Sequence, residues 1–171
     1  MRDHPACLRR LLADVPKINV NQDLGQGCTV LHGAVELGRT ECLQLLLGDA
    51  RIEVNQATIV GATPLLMAAQ EGHTECLQLL LGDARVEVNQ ATIDGTTPLF
   101  MAIHQGHTDC VHLLLTDART DIDTCPLLPV AIQLMQTAAA DNHPGAIAWL
   151  TFRHLPLPPC TTLVRADDFR T

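Results

Sequence analysis

The chain has 171 residues, of which 47 % are hydrophobic and only 2 % aromatic, and its formal net charge at pH 7 is −8. This length is enough for one domain, whose core must be built from aliphatic side chains. The acidic balance argues against general nucleic-acid binding, which needs clustered Lys and Arg. The sequence has neither an apolar run long enough to span a bilayer nor an N-terminal signal pattern, so we expect a cytoplasmic or nuclear protein.

A unit of 34 residues recurs along the chain. A fixed period of this size is typical of stacked repeats, in which each unit buries its apolar face against its neighbours. Residues of the same type recur at this interval in four series: Thr29, Thr63 and Thr97; Leu31, Leu65 and Leu99; Gly38, Gly72 and Gly106; Cys42, Cys76 and Cys110.

The repeated unit resembles the ankyrin repeat. Its segment 63–69, TPLLMAA, lies where that family has T-P-L-H-x-A-A, and Gly72-His73 and Val88-Asn89 lie where the family has G-H and V-N. The period is one residue longer than the usual 33 or so, with the extra residue in the connection 83–87. The resemblance implies an all-α solenoid of helix-turn-helix units with β-hairpin-like fingers.

This pattern divides the chain into four segments. Residues 1–28 form an N-terminal half repeat that caps the array, and residues 29–124 form three near-identical repeats. Residues 125–153 form a divergent C-terminal capping repeat, in which Trp149 and Phe152 close the core, and residues 154–171 form a Pro-rich tail. In the half repeat, Leu8, Leu11 and Leu12 are expected on one helical face.

Local signals predict the boundaries of the two helices in each repeat. Thr63 is a suitable N-cap for a first helix that opens with Pro64, because proline lacks an N–H that would go unused there. Gly72 ends that helix, and a second helix runs from Thr74 to Gly82. The chain then alternates apolar and polar residues into a turn at 94–95, which predicts a projecting finger.

No catalytic chemistry is predicted. The sequence contains no serine, no nucleophile motif and no phosphate-binding glycine loop, so we expect a non-enzyme without a cofactor. His73 and Cys76 are one helical turn apart, a spacing seen in metal sites, but a zinc site needs four converging ligands. We therefore interpret this histidine and its copy His107 as structural, and the repeated cysteines as small core residues.

The resemblance implies instead that the chain binds a partner protein on a concave face formed by fingers and first helices. Ile59, Val60 and Ile93 matter most, because a turn tip needs only polar residues; the alternative is that these tips pack on each other. The partner-binding positions carried over by alignment are Gln26, Glu36, Leu37, Ile59, Val60, Ala62, Met67, Gln70, Glu71, Ile93, Asp94, Thr96, Met101, His104 and Gln105. We expect no nucleic acid and no membrane among the partners, and a monomer, with dimerisation through the half repeat as the alternative.

Two further functions remain open. The Pro-rich stretch 153–159 has the form read by SH3 domains and faintly resembles part of a SOCS box, which would make the chain an adapter, for example in ubiquitin-ligase recruitment. Ankyrin repeats are also substrates of an asparaginyl hydroxylase, and Asn55 and Asn89 have the acidic-aliphatic-Asn context with a leucine eight residues before. The structural alternative is that these asparagines cap the fingers by bonding to backbone.

Overall fold

The computed structural model describes residues 5–15 and 18–121, together with Ile132, Gln133 and Gln136. Seven α-helices and no β-strand occur between residues 5 and 121: α1 Pro5–Asp14, α2 Val30–Glu36, α3 Thr40–Leu47, α4 Pro64–Glu71, α5 Thr74–Leu81, α6 Pro98–Gln105 and α7 Thr108–Thr116. The all-α prediction is confirmed. In this part of the chain, no helix has the length and hydropathy needed to cross a bilayer. The predicted capping repeat 125–153, with Trp149 and Phe152, and the tail 154–171 lie outside the described residues, apart from the three residues named above.

The helices form two stacked layers. The first helices α2, α4 and α6 pack side by side, the second helices α1, α3, α5 and α7 do the same, and each repeat joins one helix of each layer. Every repeat therefore contacts its neighbours, which is the arrangement of a solenoid. The core lies between the layers and is aliphatic, as the composition predicts; its most buried side chains include Leu31, Leu43, Leu46, Leu65, Leu77, Leu80 and Leu114.

The predicted helix boundaries are confirmed. The Thr63 hydroxyl accepts a hydrogen bond of 3.2 Å from the backbone N–H of Leu66, and Pro64 is the first residue of α4. Gly72 ends α4 with φ +70°, a left-handed conformation that a side chain would disfavour. The second helix begins at Thr74, and Gly82 follows its last residue.

The three leucines of the N-terminal half repeat are not equally covered. Leu8 and Leu12 pack against the core, but Leu11 is 44 % exposed. The reason is that α1 packs mainly on α3, and one neighbouring helix covers only the stripe that residues four apart share. Val15 is exposed beside Leu11. Dimerisation through this half repeat stays a prediction.

An Asp-Ala-Arg triplet follows each of the second helices α3, α5 and α7 and links adjacent repeats, which the sequence analysis did not foresee. The Arg85 guanidinium contacts the Asp83 carboxylate at 2.7 Å and donates to the Leu47 carbonyl of the preceding repeat at 3.0 Å. Arg119 repeats this arrangement with Asp117 and Leu81. Both carbonyls belong to the last residue of a helix, where a cation interacts favourably with the helix dipole.

In these triplets the arginine lowers the pKa of the aspartate. Hydrogen bonds from Arg51 lower the pKa of Asp49 from 3.8 to about 2, and the pKa of Asp83 is lowered by Arg85 in the same way. Because the pKa of Asp49 is lower in the folded protein, its contact with Arg51 stabilises the fold fully above pH 3.8. This stabilisation is lost as the pH falls to the folded-state pKa of about 2. The surface links between repeats are therefore acid-sensitive.

Candidate partner-binding surface

Each finger is a turn closed by its own backbone. In the second finger, the N–H of Thr58 donates to the Ala62 carbonyl at 2.9 Å, and the N–H of Gly61 donates to the Thr58 carbonyl at 2.8 Å. In the third finger, the N–H of Thr92 donates to the Thr96 carbonyl at 2.9 Å. The predicted hairpin-like fingers are therefore present, and turn hydrogen bonds form them.

Neighbouring fingers are joined through their backbones. The N–H of Ile59 donates to the Gln26 carbonyl at 2.9 Å, and the N–H of Ile93 donates to the Val60 carbonyl at 3.2 Å. Glycine makes this approach possible: Gly61 has φ +83°, and a Cβ there would lie 2.9 Å from the Thr92 Cα. The finger tips are consequently held in register as one surface rather than as separate loops.

We call the fingers and first helices together, residues 22–38, 56–72 and 90–106, the finger face. The finger face concentrates the exposed apolar side chains. Six of the eight large hydrophobic residues exposed in the described part of the chain lie on it: Leu24, Val30, Leu37, Ile59, Val60 and Ile93. Ile93 is 75 % exposed and Ile59 is 68 % exposed. Apolar side chains gathered on one face, at positions where the fold needs only turn formers, make this face the candidate for a partner-binding surface.

The structure answers the question that the sequence left open about the tips. The tips do pack on each other, but through their main chains, and the Ile59, Val60 and Ile93 side chains remain exposed. All the residues predicted to bind a partner lie on the finger face. Exposed among them are Gln26, Glu36, Leu37, Ile59, Val60, Glu71, Ile93, Asp94, His104 and Gln105, whereas Ala62, Met67, Gln70, Thr96 and Met101 are half-buried.

Val30 and Leu24 are the exposed apolar residues of the finger face that the sequence analysis missed, and the more exposed of the two is Leu24. It is 65 % exposed at the base of the first finger, next to a tight turn in which the Asp23 carboxylate accepts from the N–H groups of Gly25 and Gly27 at 2.7 and 3.0 Å. The signal was available, because a leucine stands alone in the polar stretch NQDLGQG. Its equivalents in the later repeats are Thr58 and Thr92, so the repeat pattern concealed it.

A buried histidine supports the finger face from below. His32 is 1 % exposed; its Nδ1 accepts from the N–H of Thr29 at 3.1 Å, so its Nε2 carries the proton and donates to the Ala62 carbonyl at 3.3 Å. Ala62 closes the second finger, and His32 thus joins helix α2 to that finger. The Thr29 hydroxyl also contacts Nδ1 at 3.0 Å.

Burial makes this histidine sensitive to pH. Desolvation lowers the pKa of His32 below its ordinary 6.5, with the hydrogen bond to Ala62 acting in the opposite direction. The unfolded chain then binds more protons than the folded one between the two pKa values, so stability is complete above pH 6.5 and falls as the pH drops below it. We expect urea unfolding at about pH 5.5 to give a lower free energy than at about pH 7.5.

The matched variant for that measurement is His32→Leu, because the equivalent position holds Leu66, which is also 1 % exposed. The variant loses the bond to Ala62 at both pH values, but its free energy of unfolding should change less between them. An equal pH dependence in both proteins would show that the charge on His32 does not couple to folding.

The histidine of each Gly-His turn covers the glycine of the preceding repeat. Nε2 of His107 lies 3.0 Å from the Gln70 carbonyl, and the ring covers Gly72, where a Cβ would meet it at 2.7 Å. His73 covers Gly38 in the same way and contacts the Glu36 carbonyl at 3.2 Å. The structural interpretation of these histidines is confirmed.

The repeated cysteines lie in the second-helix layer. Cys76 and Cys110 are buried free thiols and Cys42 is half-buried, and desolvation raises the pKa of both buried thiols. They pack as small apolar residues, as predicted. Across residues 5–15 and 18–121, no group of three His, Cys, Asp or Glu side chains has an arrangement that could hold a metal ion.

Asn55 and Asn89 form a ladder between repeats. The Asn55 side chain donates to the Arg85 carbonyl at 2.8 Å and accepts from the N–H of Glu87 at 2.9 Å. Asn89 bridges to the backbone of Arg119 and Asp121 in the same way. These bonds explain the asparagines by folding alone, with the partner backbone in the next repeat rather than in the same finger. Hydroxylation of the two residues stays a prediction.

Comparison with known proteins agrees with this architecture. Residues 26–59 match the family model described as ankyrin repeat, and residues 50–125 match the model described as ankyrin repeats in three copies. The crystal structure of EF0377, an ankyrin repeat protein, is similar with a TM-score of 0.66 at 24 % sequence identity, over 88 % of this chain and 86 % of that chain. A search of curated proteins gives no significant match. The two family models together span more than half of the residues, and the chain belongs to the ankyrin repeat family.

Proposed function

We propose that this protein is a non-catalytic module that binds a partner protein on its finger face. Ankyrin repeats are generally protein–protein interaction modules, and proteins of the family are typically non-enzymatic. The observation that carries the assignment to this face is its apolar strip, Leu24, Ile59, Val60 and Ile93, which the fold leaves exposed. Burying such side chains against a partner contributes about 25 cal/mol per Å² before the costs of association are subtracted.

The finger backbones support the same proposal. Hydrogen bonds hold the tips in register, so the strip is already ordered before a partner arrives, and binding loses less conformational entropy than it would on mobile loops. Half-buried Met67 and Met101 lie on the first helices beside the tips. Methionine side chains adapt to partners of different shape.

The test is a variant with Ile59→Ser and Ile93→Ser, used as bait beside the wild type in quantitative affinity purification from cell extract. We expect the proteins captured by the wild type to be reduced at least about tenfold with the variant, because the two most exposed anchors are gone. The melting temperature should stay nearly unchanged, since both side chains are mostly exposed and only their backbones bond to neighbouring fingers.

The matched control is Leu11→Ser with Val15→Ser, which removes one exposed apolar side chain from α1 and one from the residue that follows it, both away from the finger face. This control should capture the same proteins as the wild type. Equal capture by the finger variant, or equal loss in both variants, would contradict binding on the finger face. A large fall in melting temperature would show that the tips are structural.

A further inference from the structure

The charge on the finger face has a single sign. Four carboxylates lie within residues 22–38, 56–72 and 90–106, namely Asp23, Glu36, Glu71 and Asp94, and no Lys or Arg occurs in these ranges. Counting histidine as neutral, the face is therefore purely acidic. The nearest basic residue in sequence, Arg39, is the N-cap of α3 in the other layer.

The arginines of the three Asp-Ala-Arg triplets contact groups outside the finger face. Arg51, Arg85 and Arg119 contact the aspartates of their own triplets and backbone carbonyls of the preceding repeat. Helix dipoles add to the negative potential of the finger face, because Glu36 and Glu71 are the last residues of α2 and α4, where unpaired carbonyls carry partial negative charge. Three of the four carboxylates adjoin an exposed apolar residue in sequence: Asp23 precedes Leu24, Glu36 precedes Leu37, and Asp94 follows Ile93.

From this juxtaposition we propose that the occupant of the finger face is a basic amphipathic segment of a partner protein, in which Lys or Arg residues flank apolar anchors. The proposal rests on the proposed function and adds the chemistry of the partner. Apolar residues of the segment pack on Ile59, Val60 and Ile93, and its cations lie near the four carboxylates. Such complementarity steers encounter and excludes unsuitable partners.

Other occupants fit this face less well. Nucleic acid and an anionic membrane surface would both place negative charge against negative charge. A second copy of the chain docking by the same face would also bring carboxylates together, because a two-fold interface matches a surface with itself. An acidic or neutral protein segment would find apolar contacts but no partners for the carboxylates.

The experiment is selection from a phage-displayed library of random peptides on the immobilised wild type, with counter-selection on the Ile59→Ser and Ile93→Ser variant. Selected peptides should be enriched in Lys and Arg next to Leu, Ile or Phe. Their affinity is measured by fluorescence anisotropy, and it should fall as NaCl is raised from about 0.05 M to about 0.5 M, because salt screens exposed charge pairs.

Neutralising the face tests the charges directly. The triple variant Glu36→Gln, Glu71→Gln and Asp94→Asn should weaken binding of the selected peptides by about tenfold, the usual scale for three exposed ion pairs. The matched control is Glu41→Gln, Glu75→Gln and Asp109→Asn, which removes the same charges from the first turns of α3, α5 and α7. The control should change affinity less than about twofold, since its residues lie in the other layer.

The possible outcomes separate the two proposals. If the peptides that depend on Ile59 and Ile93 are neutral or acidic, the proposal of a basic partner is wrong. The same follows if the two triple variants weaken binding equally. In both cases the finger face remains a binding surface. Selection that returns no peptide dependent on Ile59 and Ile93 would contradict both. Basic peptides lost only on neutralisation of the finger face would support both.

Discussion

Replacing Leu80 by Asp is expected to abolish the cooperative unfolding transition of the repeat stack. Leu80 is 0 % exposed in the middle of α5, a helix that packs against α3, α4 and α7. A carboxylate there has no partner, and burying it costs more than a typical domain's whole stability of about 5–15 kcal/mol allows, unless the helix leaves the core. Because each repeat depends on its neighbours, losing α5 also removes support from the repeats on either side.

Circular dichroism during urea unfolding measures this effect, and two other variants calibrate it. Leu80→Ala keeps the site apolar and should lower the free energy of unfolding by about 2–5 kcal/mol while the transition remains cooperative. Gln78→Asp places the same charge on the exposed side of the same helix and should change stability by less than about 1 kcal/mol. A cooperative transition in Leu80→Asp near the wild-type midpoint would show that α5 does not support the stack.

Replacing Gly72 by Ala should cost about 2–4 kcal/mol, because two separate penalties combine at that residue. Its φ of +70° is left-handed, which costs a residue with a Cβ about 1–2 kcal/mol. The new Cβ would also lie 2.7 Å from the His107 Nδ1, so the ring must move and give up its contact with the Gln70 carbonyl. The substitution therefore loosens the contact between the second and third repeats.

A double-mutant cycle with His107→Ala separates the two penalties. In the His107→Ala background the ring is absent, and Gly72→Ala should cost only the backbone strain, about 1–2 kcal/mol. The difference between the two backgrounds, about 1–2 kcal/mol, measures the steric contact. Equal costs in both backgrounds would mean that the backbone alone demands glycine, and that His107 adjusts freely.

The repeat period and the local helix signals were enough to predict the scaffold. Thr63 and Pro64 begin a helix and Gly72 ends it through interactions within a few residues, so their effects can be inferred from spacing alone. The aliphatic composition likewise predicted a core of thin helix layers. The residues predicted to bind a partner were carried over by alignment with the ankyrin family, and their copies line up because equivalent residues of stacked units lie side by side.

The contacts between repeats were beyond that kind of inference. The asparagine ladder joins residues 30 apart in sequence and the Asp-Ala-Arg triplets join residues 38 apart. No local rule specifies which carbonyl a guanidinium will reach. The exposure of Leu11 depends on how many helices pack against α1. Leu24 was not predicted as a surface residue because the equivalent positions of the later repeats hold threonine. Whether the Ile59 and Ile93 side chains would be covered was likewise a question about neighbouring fingers.

The sequence by itself determined that this chain is a stack of repeats, since a duplicated amphipathic unit can bury its apolar faces only against its own copies. The resemblance of its motifs to the ankyrin repeat added the helix-turn-helix form of the unit. The tertiary structure decided what that stack leaves uncovered. Backbone hydrogen bonds between the fingers leave the apolar tips exposed on a face that carries only carboxylates. Arg85 and Arg119 of the triplets are held at helix ends in the other layer. Exposure and charge segregation depend on which atoms already have partners, and that is set by contacts between repeats.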